Sequence, residues 1–124
     1  MREEFIPFIQ KGETCKIFIE RIIAIEQNLR KIVVVTEEGK YSWYGKITDL
    51  SGYLDGRFLR CHSSYIINMD KVIRMREQTI FFENGYTLMM GREKYAPTRH
   101  YYNEYILKQS TVRRNVFGGV GEIM

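Results

Sequence analysis

Residues 58–68, FLRCHSSYIIN, set an arginine, a cysteine, a histidine and two serines at the entrance of a short apolar run. Such side chains serve nucleophilic catalysis, metal ligation or the gripping of an anion. Cys61 and His62 are adjacent, and on an extended chain neighbouring side chains point to opposite faces. They do not converge on one metal ion, and a structural zinc site wants four Cys or His ligands at tight spacing. The same divergence spoils a Cys–His nucleophile pair, and Cys61 reads better as a small buried apolar side chain. The sequence contains no GxSxG, no HExxH and no glycine-rich phosphate loop. Neither an enzyme, a metal, a cofactor nor a small-molecule substrate is expected. The anion reading does better. Arg60, His62 and Ser64 alternate, so on one strand they share a face, and Ser63 joins them if that strand begins with a bend. An arginine fork can hold a phosphate through two bonds, and imidazole and hydroxyl groups can each donate one. A polar outer face that binds nothing stays open at this point.

Charge distribution bears on the choice. The chain has 124 residues and a net charge of +4. Between Arg92 and Arg114 lie six basic residues and two acidic ones, whereas the remaining 13 basic and 13 acidic residues cancel. Arg57 to Arg76 adds five basic residues against Asp70 alone. The positive potential thus gathers in the second half, beginning beside FLRCHSSY, which favours a polyanionic partner over a neutral one. Composition is that of a single globular domain, 44% apolar and 27% charged. No apolar run reaches membrane-spanning length, and MREEFIPFIQ lacks the features of a signal peptide. Cys15 and Cys61 form no CxxC, so a reducing cytoplasm is the expected setting.

The elements that must position these groups are mostly strands. KIFIERIIAIE (16–26) reads as one bent or two consecutive strands, interrupted at Glu20-Arg21. RKIVVVT (30–36), a turn at EEGK and YSWY (41–44) form a hairpin of β-branched and aromatic residues. Ile47, Leu50 and Leu54 then recur at helical spacing, giving a short mid-chain helix that ends at Gly56. FLR and SYIIN, then VIRMR, resume as strands. In TIFFENGYTLMM, Asn84-Gly85 fits both positive-φ positions of a type I′ turn. PTRHYYNEYILKQ is expected to be a helix with Pro97 and Thr98 near its start and Thr98, Tyr101, Tyr102, Tyr105 and Ile106 on one side. Asn68 precedes a turn, where its side chain would bond nearby backbone, a structural role. Trp43, Tyr44, Phe58 and Tyr65 read as core or core-edge aromatics.

From Lys16 to about Leu107 the chain resembles the LytTR DNA-binding domain of bacterial transcription regulators. FLRCHSSYIIN satisfies that family's most diagnostic stretch, F-x-R-x-H-x-S-[FY]-[IV]-[IV]-N. IIAIEQNLRKIVVVT, YSWYGKITDLSGYL and FFENGYTLMMGREKY are similar to its flanking elements. The resemblance implies a mostly β fold of stacked antiparallel sheets that lays loops into the grooves of double-stranded DNA, usually at paired direct repeats near promoters. It implies three contact loops. One carries Arg30 and Lys31, the second Arg60, His62, Ser63 and Ser64, and the third Arg92 and Lys94. Arg30 and Arg92 would read bases, while Lys31, Arg60, His62, Ser63, Ser64 and Lys94 would hold the phosphate backbone. Residues 1–15 would be an N-terminal extension, 16–108 the DNA-binding domain and 109–124 a frayed or weakly docked tail. With only about 15 residues ahead of the first expected strand, a stand-alone domain without a receiver is expected. A stand-alone member resembles the type controlled by a membrane-embedded inhibitor or sensor, and a second copy would share the DNA. The rival readings are a protein–protein interaction module using the tyrosine-rich C-terminal helix, and an RNA-binding β domain, which would want exposed aromatics for stacking.

Overall fold

The computed structural model describes residues 4–110. Among the described residues there are ten strands, three short 3-10 segments and one α-helix. The centre is a five-stranded antiparallel sheet made of β3 (Ile22–Asn28), β4 (Lys31–Thr36), β5 (Gly39–Tyr44), β6 (Phe58–His62) and β7 (Tyr65–Asn68). Its spatial order is β5-β4-β3-β7-β6. Residues 19–21, between β2 and β3, form a 3-10 turn, which is the interruption expected at Glu20-Arg21.

This central sheet is covered on both sides, which explains why IIAI, IVVV and YII are unbroken apolar runs and not alternating ones. On one side, Ile22, Ile25, Ile32, Val34 and Ile66 pack with Ile6, Phe8 and Ile17 of a hairpin, and with Ile47 and Leu50. On the other, Ile23, Ala24, Val35 and Ile67 pack with Ile80, Phe82, Leu88 and Tyr102. A register shift between Ile22 and Ala24 breaks the strand's alternation, so the neighbours Ile23 and Ala24 both serve the second layer while Ile22 and Ile25 serve the first.

The covering hairpin contains a strand that the sequence reading left out. Phe5–Gln10 is β1, paired with β2 (Glu13–Phe18) from Phe5↔Phe18 to Gln10↔Glu13. Residues 1–15 are therefore not simply an extension ahead of the first strand. Ile6 and Phe8 are buried in the first core, and the charged start MREE masks that short alternation.

The second covering layer is a three-stranded sheet, β8 (Val72–Arg76), β9 (Thr79–Phe82) and β10 (Thr87–Met89), with α1 (Arg92–Gln109). Its turns reverse an expectation. The two-residue loop with both φ angles positive is Glu77-Gln78, at +51° and +63°, not Asn84-Gly85. At Asn84-Gly85 only Gly85 is left-handed, and Phe82 N–H donates to Tyr86 O across a three-residue loop. Burial of Ile80, Phe82 and Leu88 fixes the register, so loop length is settled by the core before the dipeptide preference acts.

Residues 47–53 form a 3-10 helix ending at Tyr53, short of Gly56, with Lys46 N–H donating to Asp49 Oδ2 at 3.0 Å. Helix α1 begins at Arg92, so Pro97 lies within it. Tyr102 Oη donates to Val72 O at 2.9 Å and Tyr105 Oη to Asp70 at 2.6 Å; these anchors hold the helix despite the proline. Its inward stripe includes Tyr95, Thr98, Tyr102 and Tyr105, whereas Tyr101 and Ile106 are exposed. Most of the expected tail, residues 111–124, lies outside the described residues.

Candidate nucleic-acid interface

Two tight turns at one end of the central sheet carry the first two predicted loops. β3 and β4 are joined by Leu29-Arg30, closed by the pair Asn28↔Lys31. β6 and β7 are joined by Ser63-Ser64, closed by His62↔Tyr65. Between these turns lies an open cleft of about 670 Å³, lined by residues that include Leu29, Arg30, Tyr44, Lys46, Arg60 and Ser63.

The second turn is organised by the motif's own side chains. Arg60 Nη2 donates to Ser63 O at 3.0 Å, and Ser64 N–H donates to His62 Nδ1 at 3.0 Å. With Nδ1 accepting, a neutral His62 carries its proton on Nε2 and can donate from there. The expected strict alternation of Arg60, His62 and Ser64 does not occur. A register shift between Leu59 and His62 breaks the period, and Ser64 belongs to the turn, not the strand. Cys61 packs toward the second core, and burial pushes its thiol up to about 11, so it is a neutral side chain at physiological pH. Asn68 is fully buried; its Nδ2 donates to Ile22 O at 2.7 Å and its Oδ1 accepts Asp70 N–H.

Two residues that sequence reasoning missed complete this end. Gln27 Oε1 accepts Ile47 N–H at 2.6 Å. Its Nε2 lies 3.0, 3.2 and 3.0 Å from the carbonyl oxygens of Leu29, Lys31 and Gly45. Gln27 N–H donates to Ser64 O, and Gly45 N–H to Arg30 O. One glutamine thus links the Arg30 turn, the Ser63-Ser64 turn and the Gly45–Ile47 junction. Lys46 follows that junction and adds a cation to the cleft. No local spacing announces the tie between Gln27 and this junction, because Gly45 and Ile47 lie 18 and 20 positions from it. Tyr44, read from sequence as core or core-edge, is 74% exposed, with Lys31 Nζ 5.2 Å above its ring.

Arg92 and Lys94 sit on the first turn of α1, outside the lining of the cleft. The segment leading to Arg92 is fixed by Gln78: its Nε2 donates to Met90 O at 3.0 Å, and Met90 N–H donates to Gln78 O. The left-handed Glu77-Gln78 turn therefore fixes Met90, two residues ahead of the helix start at Arg92.

Charge pairing differs sharply between regions. Among the described residues the ion pairs are Arg21–Glu38, Arg57–Asp55, Lys71–Glu37 and Lys71–Glu83. Arg21, Arg57 and Lys71 border a separate hollow that also contains Glu20, Glu37 and Asp70. None of these pairs uses Arg30, Lys31, Lys46, Arg60, Arg92 or Lys94. Cations without carboxylate partners are what a polyanion requires, since it need not displace an internal counter-charge.

Residues 12–103 match the family model described as the LytTr DNA-binding domain. Accessory gene regulator protein A of Staphylococcus epidermidis is 32% identical over 57 residues, which is 44% of this chain and 24% of that protein. The same figures hold for that protein from a second strain. The chain thus spans about a quarter of the length of these relatives. The LytTr DNA-binding domain of a Bacillus cereus methyl-accepting/DNA response regulator superposes with a TM-score of 0.65 at 16% identity. The match covers 80% of this chain and 96% of that one, a likeness of fold.

Proposed function

Because the chain belongs to the LytTr DNA-binding domain family, we propose that it is a transcription regulator that reads direct repeats in promoter DNA through turns of its β scaffold. Arg30 and Arg92 read base edges; an arginine bonding both acceptors of guanine supplies about 1–3 kcal/mol of discrimination. Lys31, Arg60, His62, Ser63, Ser64 and Lys94 hold phosphates and set register, and Lys46 joins them. Residues 16–108 form the DNA-binding unit, supported by the hairpin of β1 and β2. Two copies occupy the paired repeats, and the protein works in the cytoplasm, under the control of a membrane-embedded inhibitor or sensor. The observation that carries this reading is the cleft in which Arg30, Lys46 and Arg60 gather with Ser63 and without carboxylate partners.

The rival interaction module loses support from the same geometry. Tyr102 and Tyr105 of the tyrosine-rich helix spend their hydroxyls within the chain, on the buried Val72 carbonyl and on the exposed Asp70 carboxylate. A family of DNA-binding domains likewise points away from an enzyme.

Titration with duplex DNA at two salt concentrations tests the proposal. Lys31, Arg60 and Lys94 on phosphates give a slope of log affinity against log salt of roughly −3, and further cations steepen it. Arg92→Ala should flatten preference among sequences, whereas Lys94→Ala should weaken all duplexes alike. Equal losses from Arg92→Ala on specific and random duplex would remove its assigned role.

A further inference from the structure

Leu29 is the anomaly of the cleft. It is 92% exposed, and its φ is +56°, in the left-handed region. A hairpin loop position of that kind suits glycine, asparagine or aspartate, which adopt it with least strain. Folding gains almost nothing from this leucine, since it is neither buried nor relaxed.

Nor is the turn free to hide it. Leu29 O accepts from Gln27 Nε2 at 3.0 Å, and Arg30 O accepts Gly45 N–H at 2.9 Å. The two carbonyls are tied, so the isobutyl group is held out into the cleft beside Arg30. A lone exposed leucine is ordinary, but one held at a strained left-handed φ is an outlier of the kind that gathers at functional sites.

Resting on the DNA-reading role of this cleft, we propose that Leu29 is a specificity residue that recognises the 5-methyl group of a thymine next to the base contacted by Arg30. The major-groove edge of a base pair is polar except for that methyl, which is its one apolar feature for a leucine to touch. The pair Leu29-Arg30 then reads two neighbouring positions with complementary chemistry, one by methyl contact and one by a bidentate hydrogen bond.

The test uses the full chain and a duplex selected from random DNA. Each thymine of the bound site is replaced in turn by deoxyuridine, which removes only the methyl. At one thymine the replacement should weaken wild-type binding about fourfold, the factor expected for one buried methyl group. In Leu29→Asn the thymine and deoxyuridine duplexes should bind equally, with thermal stability unchanged or raised because asparagine tolerates the left-handed φ. Wild-type affinity indifferent to every replacement, or undiminished sensitivity in Leu29→Asn, overturns the assignment. A wild type that prefers no duplex at all overturns the DNA-reading premise instead. An exposed leucine serving a protein partner would appear as the first of these failures with sequence preference intact.

Discussion

Gln27→Leu isolates the link between scaffold and site. The Gln27 side chain ties the Arg30 turn to the Gly45–Ile47 junction and has no charge of its own, while the backbone N–H bond of Gln27 to Ser64 O survives the change. Leucine keeps most of the volume and deletes every side-chain hydrogen bond. The part-buried Ile47 N–H loses its acceptor, which costs about 1–3 kcal/mol, and the Gly45 carbonyl loses a donor worth about 0.5–1.5 kcal/mol. The Leu29 and Lys31 carbonyls are exposed and can turn to water at little cost. The expected loss is about 1.5–4.5 kcal/mol, less than the ~5–15 kcal/mol typical of a domain, so the variant folds at 25 °C. Urea titration reads that loss as a lower midpoint with an unchanged slope. Duplex affinity should fall further than global stability explains. A loosened Arg30 turn forfeits a contact worth about 1–3 kcal/mol, roughly 5- to 150-fold in affinity. Tyr102→Phe is the control. It removes the bond to Val72 O, away from the cleft, and should lower stability without lowering affinity. If the two variants, matched for stability, bind duplex equally well, the positioning role of Gln27 is refuted.

Two other outcomes follow from local physics. Glu77→Asn, at φ +51°, should raise stability by up to about 1 kcal/mol, since asparagine enters the left-handed region more easily than glutamate; a lower urea midpoint would contradict this. Alkaline stability should also respond to the tyrosines. Tyr105 is raised from 10.0 to about 12, first by desolvation and then by its bond to Asp70, and desolvation chiefly raises Tyr102 too. A raised folded value means that the unfolded chain loses its protons first. Stability should therefore hold up to about pH 10 and fall as pH climbs toward 12, and a flat urea midpoint across that window would contradict the assignment.

The parts of the fold legible in the sequence are those written in local pattern. FLRCHSSYIIN marks its turn because Arg60 and His62 bond backbone within three residues. β3, β4 and β7 of the central sheet show as β-branched runs, and Thr98, Tyr102 and Tyr105 of α1 recur on its inward face, although Tyr101 and Ile106, expected beside them, are exposed. What stayed hidden depends on distant partners. Ile6 and Phe8 form a strand only because β2 and the central sheet lie against them. Glu77-Gln78 carries no turn signature, yet the register imposed by Ile80 and Phe82 leaves it two residues in which to reverse. Gln27 looks like an ordinary strand residue until the Gly45–Ile47 junction is brought to it across the sheet. Lys46 and Leu29 acquire meaning only through the cleft they border.

Backbone amide resonances followed during titration with a selected duplex test the central claim most directly. Shifts should concentrate at residues 27–31, 44–48, 60–64 and 91–94, with the Arg21, Arg57 and Lys71 region and the exposed Tyr101 and Ile106 of α1 unmoved. Shifts centred on those latter residues, with the turns at Arg30 and Ser63 silent, would contradict it.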